Sequence, residues 1–205
     1  MPGRLSPIPR LARSELPLDT EKLARFLIGK TLVHDHPAGR LSGRIVETEA
    51  YPPGDPAGHS YRGRTAANGS LWLDRGHAYV YLIYGRYFMM NVASGRRGVG
   101  CGVLLRALEP LEGVALMERR DGRSGPKDLA RGPGLLARAM RIDRHFDGVD
   151  LCGGGRLWLG AAVRPAGPIA ASIRIGLTRA ADRKLRFYEL GSPFVSGPMR
   201  LAVLP

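Results

Sequence analysis

Cysteine is nearly absent from this 205-residue chain, Cys101 and Cys152 being the only two. Two cysteines cannot build a disulfide framework, and neither stands with histidine at metal-ligand spacing. A reducing compartment without structural zinc is therefore expected. Long apolar runs are missing too: no stretch reaches the roughly 20 residues that span a bilayer. The first twenty residues lack the apolar core of a secretory signal, so a cytoplasmic protein with no membrane partner is expected. Acidic residues are few, 18 Asp+Glu against 31 Lys+Arg, a net charge of +13. Lysine is scarcer still, limited to Lys22, Lys30, Lys127 and Lys184. The base composition of a GC-rich genome accounts for most of the excess of arginine over lysine, but not for the net charge. Such a field on so small a body calls for a polyanion, nucleic acid first. The scattered arginines do not form the basic face of a membrane-surface helix. P-loop, dinucleotide-binding, HExxH and GxSxG motifs are all absent.

A hydrophobic fraction of 44% excludes a fully disordered chain. Residues 1–17, with four prolines and little apolar pattern, are expected to form a surface arm, flexible in part. The domain proper then runs over 18–205. Leu23, Phe26 and Leu27 make a helical stripe, with Asp19 or Thr20 as cap and Gly29 as stop. Thr31–His34 and Leu41–Ala50 form strands joined by a turn at Pro37-Ala38-Gly39. A Gly/Pro-rich loop follows from Tyr51 to about Ser70, long enough to suggest function. Tyr79–Ile83 and Phe88–Ala93 make a hairpin, and Val103–Ala107 a further strand. Leu111–Arg119 and Leu135–Arg141 are expected as helices, the second following the break at Gly132-Pro133-Gly134. Strand-like pieces return from Leu157, including Ala171–Ile175 and Leu185–Glu189. With no repeat or linker to divide it, the chain is expected to be a single α+β domain, with a mainly antiparallel curved sheet, flanking helices and a protruding hairpin.

Three groups of residues stand out. Strand alternation puts Ile45, Glu47, Glu49 and Tyr51 on one face, two carboxylates and a phenol beside an apolar wall. A carboxylate so placed suits a general base, since burial moves its pKa toward neutral. Two solvated glutamates paired with arginines are the plainer explanation. The hairpin holds four of the seven tyrosines. Tyr79, Tyr81 and Ile83 share a face, with Tyr84 on the opposite face at the tip beside Arg86. An aromatic tip next to arginine suits insertion into a base stack, although aromatic strands are also ordinary core. His59, with Tyr61, Arg62 and Arg64, makes a basic-aromatic patch. Asn91 and Arg106, on the strands that follow, could equally be plain polar residues.

Taken together, Arg44-Ile45-Val46-Glu47-Thr48-Glu49-Ala50-Tyr51, His59-Ser60, the run Tyr79 to Val92 and the block Val103 to Gly113 are specific. The chain resembles the alkyladenine (3-methyladenine) DNA glycosylases of the single-domain methylpurine class. Weaker echoes occur at Arg131–Leu135 and Leu185–Pro193, so the likeness runs from about Leu23 to Val195. The resemblance implies that Glu49 activates the attacking water, and that Tyr51, His59 and Tyr81 sandwich a flipped base. It implies that Tyr84 fills the vacated space in the duplex and Asn91 limits which purines fit. Arg106 would hold the flipped nucleotide's phosphate and border the water. Arg86, Arg62 and Arg64 would add to the DNA-binding surface. Arg86 is a charge where the family holds an apolar residue, and Pro52–Gly58 is more Pro-rich than the family pattern.

These roles imply a monomer acting without metal or cofactor on double-stranded DNA containing damaged purines, associated with the nucleoid in a bacterium. The substrates implied are 3-methyladenine and 7-methylguanine, with hypoxanthine and ethenoadenine as further candidates. No strand cleavage is expected, since no lysine falls in the matched motifs to act as an amine nucleophile. The rival is a non-catalytic, ribosome-associated RNA-binding protein, which the charge fits equally well. A carboxylate pair in a basic cleft would serve such a protein poorly.

Overall fold

Helix α1 (Thr20–Leu27) forms where the stripe predicts it. The Asp19 carboxylate accepts from Lys22 N at 2.8 Å and caps it, while Gly29 closes it at φ 86°. Leu23, Ala24 and Leu27 turn inward. The computed structural model describes residues 7–121 and 125–197. Leu11 and Leu16, within the segment expected as an arm, are buried in the core. No helix among the described residues is long and apolar enough to cross a membrane.

One antiparallel sheet organises the domain. Its strands are β1 (Thr31–His36), β2 (Gly39–Tyr51), β3 (Ala78–Ile83), β4 (Tyr87–Ala93), β5 (Gly102–Glu112), β6 (Leu157–Gly160), β7 (Ile169–Ser172) and β8 (Arg186–Glu189). They run β3-β4-β5-β2-β1-β6, and β8 pairs with both β2 and β7. The 13-residue β2 is the spine. One of its edges takes β5; the other takes β1 along its first half and β8 at Glu47–Glu49. The core lies between the sheet and α1, α2 (Val114–Asp121) and α3 (Pro133–Ala139). Thr48 donates its hydroxyl to Ala24 O at 3.0 Å, fastening α1 to β2.

Of the three register shifts between β2 and β5, the two around Glu47 correct the simple alternation. Between Ile45 and Glu47, β2 gains a residue that β5 does not match; between Glu47 and Thr48, β5 gains Arg106. Ile45, opposite Leu108, therefore belongs to the core, while Glu49 and Tyr51 face the other way, into a cavity. The expected apolar neighbour of the two glutamates is thus on the far side of the sheet. Other boundaries shift as well. Leu111 and Glu112 extend β5, so α2 starts only at Val114. Gly113 makes the change of direction at φ 75°, where a Cβ would lie 2.5 Å from Arg40 O. The strand expected over Ala171–Ile175 runs over Ile169–Ser172 and gives way to a loop that reaches the cavity.

Candidate active site

The Glu49 end of β2, the β3–β4 hairpin, β5 and two loops enclose a cavity of about 300 Å³. That is the lower end of the range of small-molecule sites, about 300–1,000 Å³. Glu49, Tyr51, His59, Tyr81, Tyr84, Asn91 and Arg106 all line it, brought together from five separate stretches of chain. Glu49 is its one acidic lining residue among the described residues.

The Glu49 side chain is 0% exposed and met by three donors. Tyr51 donates its hydroxyl to Oε2 at 2.9 Å, Ile175 N donates to Oε1 at 2.8 Å, and Arg106 Nη1 stands 3.1 Å from Oε1. The expected apolar wall is thus replaced by polar groups. Burial alone would pull the Arg106 pKa down, but Glu49 and Glu47 more than offset it and hold the guanidinium above its ordinary value. Arg106 is not free at its inner edge: its Nε donates to Glu47 Oε1 at 3.0 Å, and Nη2 reaches Ser196 Oγ at 3.4 Å.

Aromatic rings make the walls. His59 and Tyr81 have ring centroids 4.4 Å apart, too close to admit a third ring, so the two form one surface. Tyr79 backs it, stacked on Tyr81 at 5.2 Å and hydrogen-bonded through its hydroxyl to His59 Nδ1 at 2.8 Å. Burial and the Glu49 charge push the Tyr81 phenol up to about 12, and the same two causes raise Tyr51 further. His59 is among the exposed residues, yet desolvation of its ring lowers its pKa. Asn91 lies on the cavity wall, its amide donating to Tyr79 O at 3.3 Å.

Tyr84 takes part in this cavity instead of facing away from it. It has φ 53° and Gly85 φ 62°, with Arg86 N donating to Ile83 O at 3.1 Å, a type I′ turn. That left-handed backbone ends the strand alternation and carries the ring, 88% exposed, to the cavity mouth. Arg86 lies over the Tyr87 ring at 5.2 Å. Arg62 and Arg64 are exposed on the long loop and do not line the cavity.

Several residues were not singled out by sequence reasoning. Arg174 is fully buried with Asp55 in a bidentate pair, donates to Ala50 O at 2.9 Å and covers the Tyr51 ring at 4.6 Å. The pair ties the Pro-rich loop before His59 to the loop carrying Ile175. Arg186 joins Arg106 on Glu47. Only the number of arginines hinted at such partners; their pairing spans more than a hundred residues.

The methylpurine-DNA glycosylase family model matches residues 14–193. A Mesorhizobium japonicum protein is 60% identical over 193 residues, covering 94% of this chain and 93% of its own length. A Paraburkholderia phytofirmans protein is 54% identical over 97% of this chain and 93% of its own length. Both are provisionally named 3-methyladenine DNA glycosylases. The human protein named DNA-3-methyladenine glycosylase is 43% identical over 88% of this chain and 65% of its own length.

Proposed function

Because the chain belongs to the methylpurine-DNA glycosylase family, we propose that it draws a damaged purine nucleotide out of duplex DNA into this cavity and hydrolyses the N-glycosidic bond with a Glu49-activated water. DNA glycosylase activity replaces the passive RNA binder as the reading of the basic charge. The observation that carries the proposal is a single carboxylate facing a hollow walled by tyrosine and histidine rings.

A base inside a duplex is out of reach, so the nucleotide must be extruded, at a cost of a few kcal/mol. Tyr84, standing at the mouth, offsets part of this by stacking in the gap. The purine enters with Tyr51 on one side and the joined His59–Tyr81 surface on the other. Arg174 covers one face of Tyr51, leaving the other for the base. An N3- or N7-alkylated purine is cationic, and the neutral Tyr81 ring attracts it through its π-face. Asn91 limits the outline of the base that fits.

The bond between the sugar anomeric carbon and the purine breaks with its electron pair going to the base. A cationic purine thereby leaves neutral. The sugar passes through an oxocarbenium-like state. Water oxygen bonds to the anomeric carbon, and its proton passes to Glu49. Arg106 borders that water. Among the described residues no lysine lines the cavity to act as an amine nucleophile, which supports base release without strand cleavage as the proposed outcome.

Glu49→Gln tests the assignment. It keeps an acceptor for Ile175 N while removing the base. Binding to a lesion duplex should persist, and release of free 3-methyladenine from alkylated DNA should fall about 10²–10⁴-fold. Release near the parent rate would refute Glu49 as the base.

A further inference from the structure

Glu47 does not line the cavity, yet it is as deeply buried as Glu49 and carries more bonds than a strand fastener needs. We propose that Glu47 is a positioning residue for the glycosylase reaction. It holds the inner edge of Arg106 so that the guanidinium gives Glu49 one N–H and leaves the remaining carboxylate oxygen for water. The proposal rests on Glu49 as the base.

Arg106 stands at the bulge in β5 and presents two different nitrogens to two acids. Nε goes to Glu47 Oε1 at 3.0 Å, and Nη1 to Glu49 Oε1 at 3.1 Å. A guanidinium is a rigid planar fork, so fixing Nε fixes the direction of every other N–H. Glu49 Oε1 already takes Ile175 N, which leaves Oε2, bonded to the Tyr51 hydroxyl, with a lone pair to spare. An untethered Arg106 would be free to turn and take both oxygens of Glu49, the arrangement arginine and carboxylate favour. Oε2 would then be occupied where the water must be met.

Glu47 is itself immobilised. Arg186 Nε donates to its Oε1 at 2.6 Å and Ser196 N to its Oε2 at 2.6 Å. Arg186 is pinned in turn by Ser172 Oγ at 3.0 Å and Ser196 O at 2.8 Å. The buried set holds two carboxylates and two guanidiniums, and only one of the four, Glu49, offers an acid to the cavity. Burying a second carboxylate is costly unless it is paired, and here every oxygen is.

The test compares Glu47→Gln, Arg106→Met, the double variant and Glu49→Gln. The readouts are single-turnover release of 3-methyladenine, binding of a lesion duplex, and thermal melting. Glu47→Gln should bind the duplex as the parent does and excise roughly 10²-fold more slowly, the scale of a small misplacement of a reacting group. In the Arg106→Met background the same change should cost nothing further, because the residue acts through Arg106. A purely structural role would lower the melting temperature and leave the excision loss equal in both backgrounds, which overturns the proposal, as would parent-like excision by Glu47→Gln. If Glu49→Gln still excises, the base assignment has failed and this proposal falls with it. If Glu49→Gln is inactive and Glu47→Gln unaffected, only the role of Glu47 is refuted. Should the glutamine variant not fold, Glu47→Asp keeps the charge and withdraws it by one methylene. Its excision should also fall, and parent-like excision overturns the proposal.

Discussion

Replacing Arg174 by methionine removes the cation that lies under Tyr51 and pairs with Asp55. Neither side chain of the pair has any exposed surface. Breaking a buried pair by deleting one partner costs about 3–5 kcal/mol, because the surviving charge stays buried. Arg183, half-exposed with Nη1 3.8 Å from the same Asp55 oxygen, can move closer and recover part of it. The expected loss is therefore at the lower end, about 3 kcal/mol. At about 2–4 °C per kcal/mol for a chain this size, the melting temperature should fall by roughly 6–12 °C. The loss also reaches the cavity, since Tyr51 gives up its backing and the loops carrying His59 and Ile175 lose their tie. Lesion-duplex binding should weaken along with excision, unlike the loss expected for Glu49→Gln, which spares binding. Thermal melts in near-UV circular dichroism measure the first effect, and single-turnover excision at saturating and subsaturating enzyme separates the second. The double change Arg174→Met with Asp55→Leu should regain much of the stability, as a buried pair replaced by apolar groups is often neutral. A melting shift under 2 °C for Arg174→Met, or a double variant no more stable than the single one, would refute the reasoning.

Tyr84→Ala should leave the melting temperature unchanged, since the ring is exposed, and weaken productive lesion binding by about 1–3 kcal/mol, measured as the enzyme concentration giving half-maximal single-turnover excision. Arg62→Ala and Arg64→Ala should each reduce the slope of log binding constant against log salt by about 1 if each meets a phosphate; an unchanged slope removes that residue from the interface. His59 has its pKa lowered by burial, so its ring is neutral at pH 7 and protonates at lower pH than an ordinary histidine. As pH falls below the unfolded value near 6.5, the unfolded chain takes up the proton first, and stability contributed by the neutral ring is lost through the folded pKa. The cationic ring would also repel a cationic purine, so the ratio of 3-methyladenine to hypoxanthine excision should drop on acidification; His59→Gln should abolish that change in ratio.

Much of the fold was legible because its signals are local. Asp19 caps α1, Leu23 and Leu27 turn it inward, and the alternation in Tyr79–Ile83 places Tyr79, Tyr81 and Ile83 on one face. Local patterns misjudged Ile45 and Tyr84 for a common reason. Alternation assumes an unbroken ladder, whereas a bulge at one site and a left-handed residue at the other reset the phase. The start of α2 was misplaced because β5 continues to Glu112, which pairs with Ser42 of β2 and keeps the unpaired Leu111 within the strand.

By itself the sequence determined that this is a basic, single-domain α+β chain whose ordered blocks belong with one glycosylase family, because charge, periodicity and motif order survive without coordinates. The tertiary structure decided which of two neighbouring glutamates faces the cavity, which arginine stands between them, and that a distant Arg174–Asp55 pair braces Tyr51. Those are outcomes of strand pairing and burial between segments up to more than a hundred residues apart. A carboxylate's surroundings cannot be inferred from its sequence neighbours when its partners arrive from other strands.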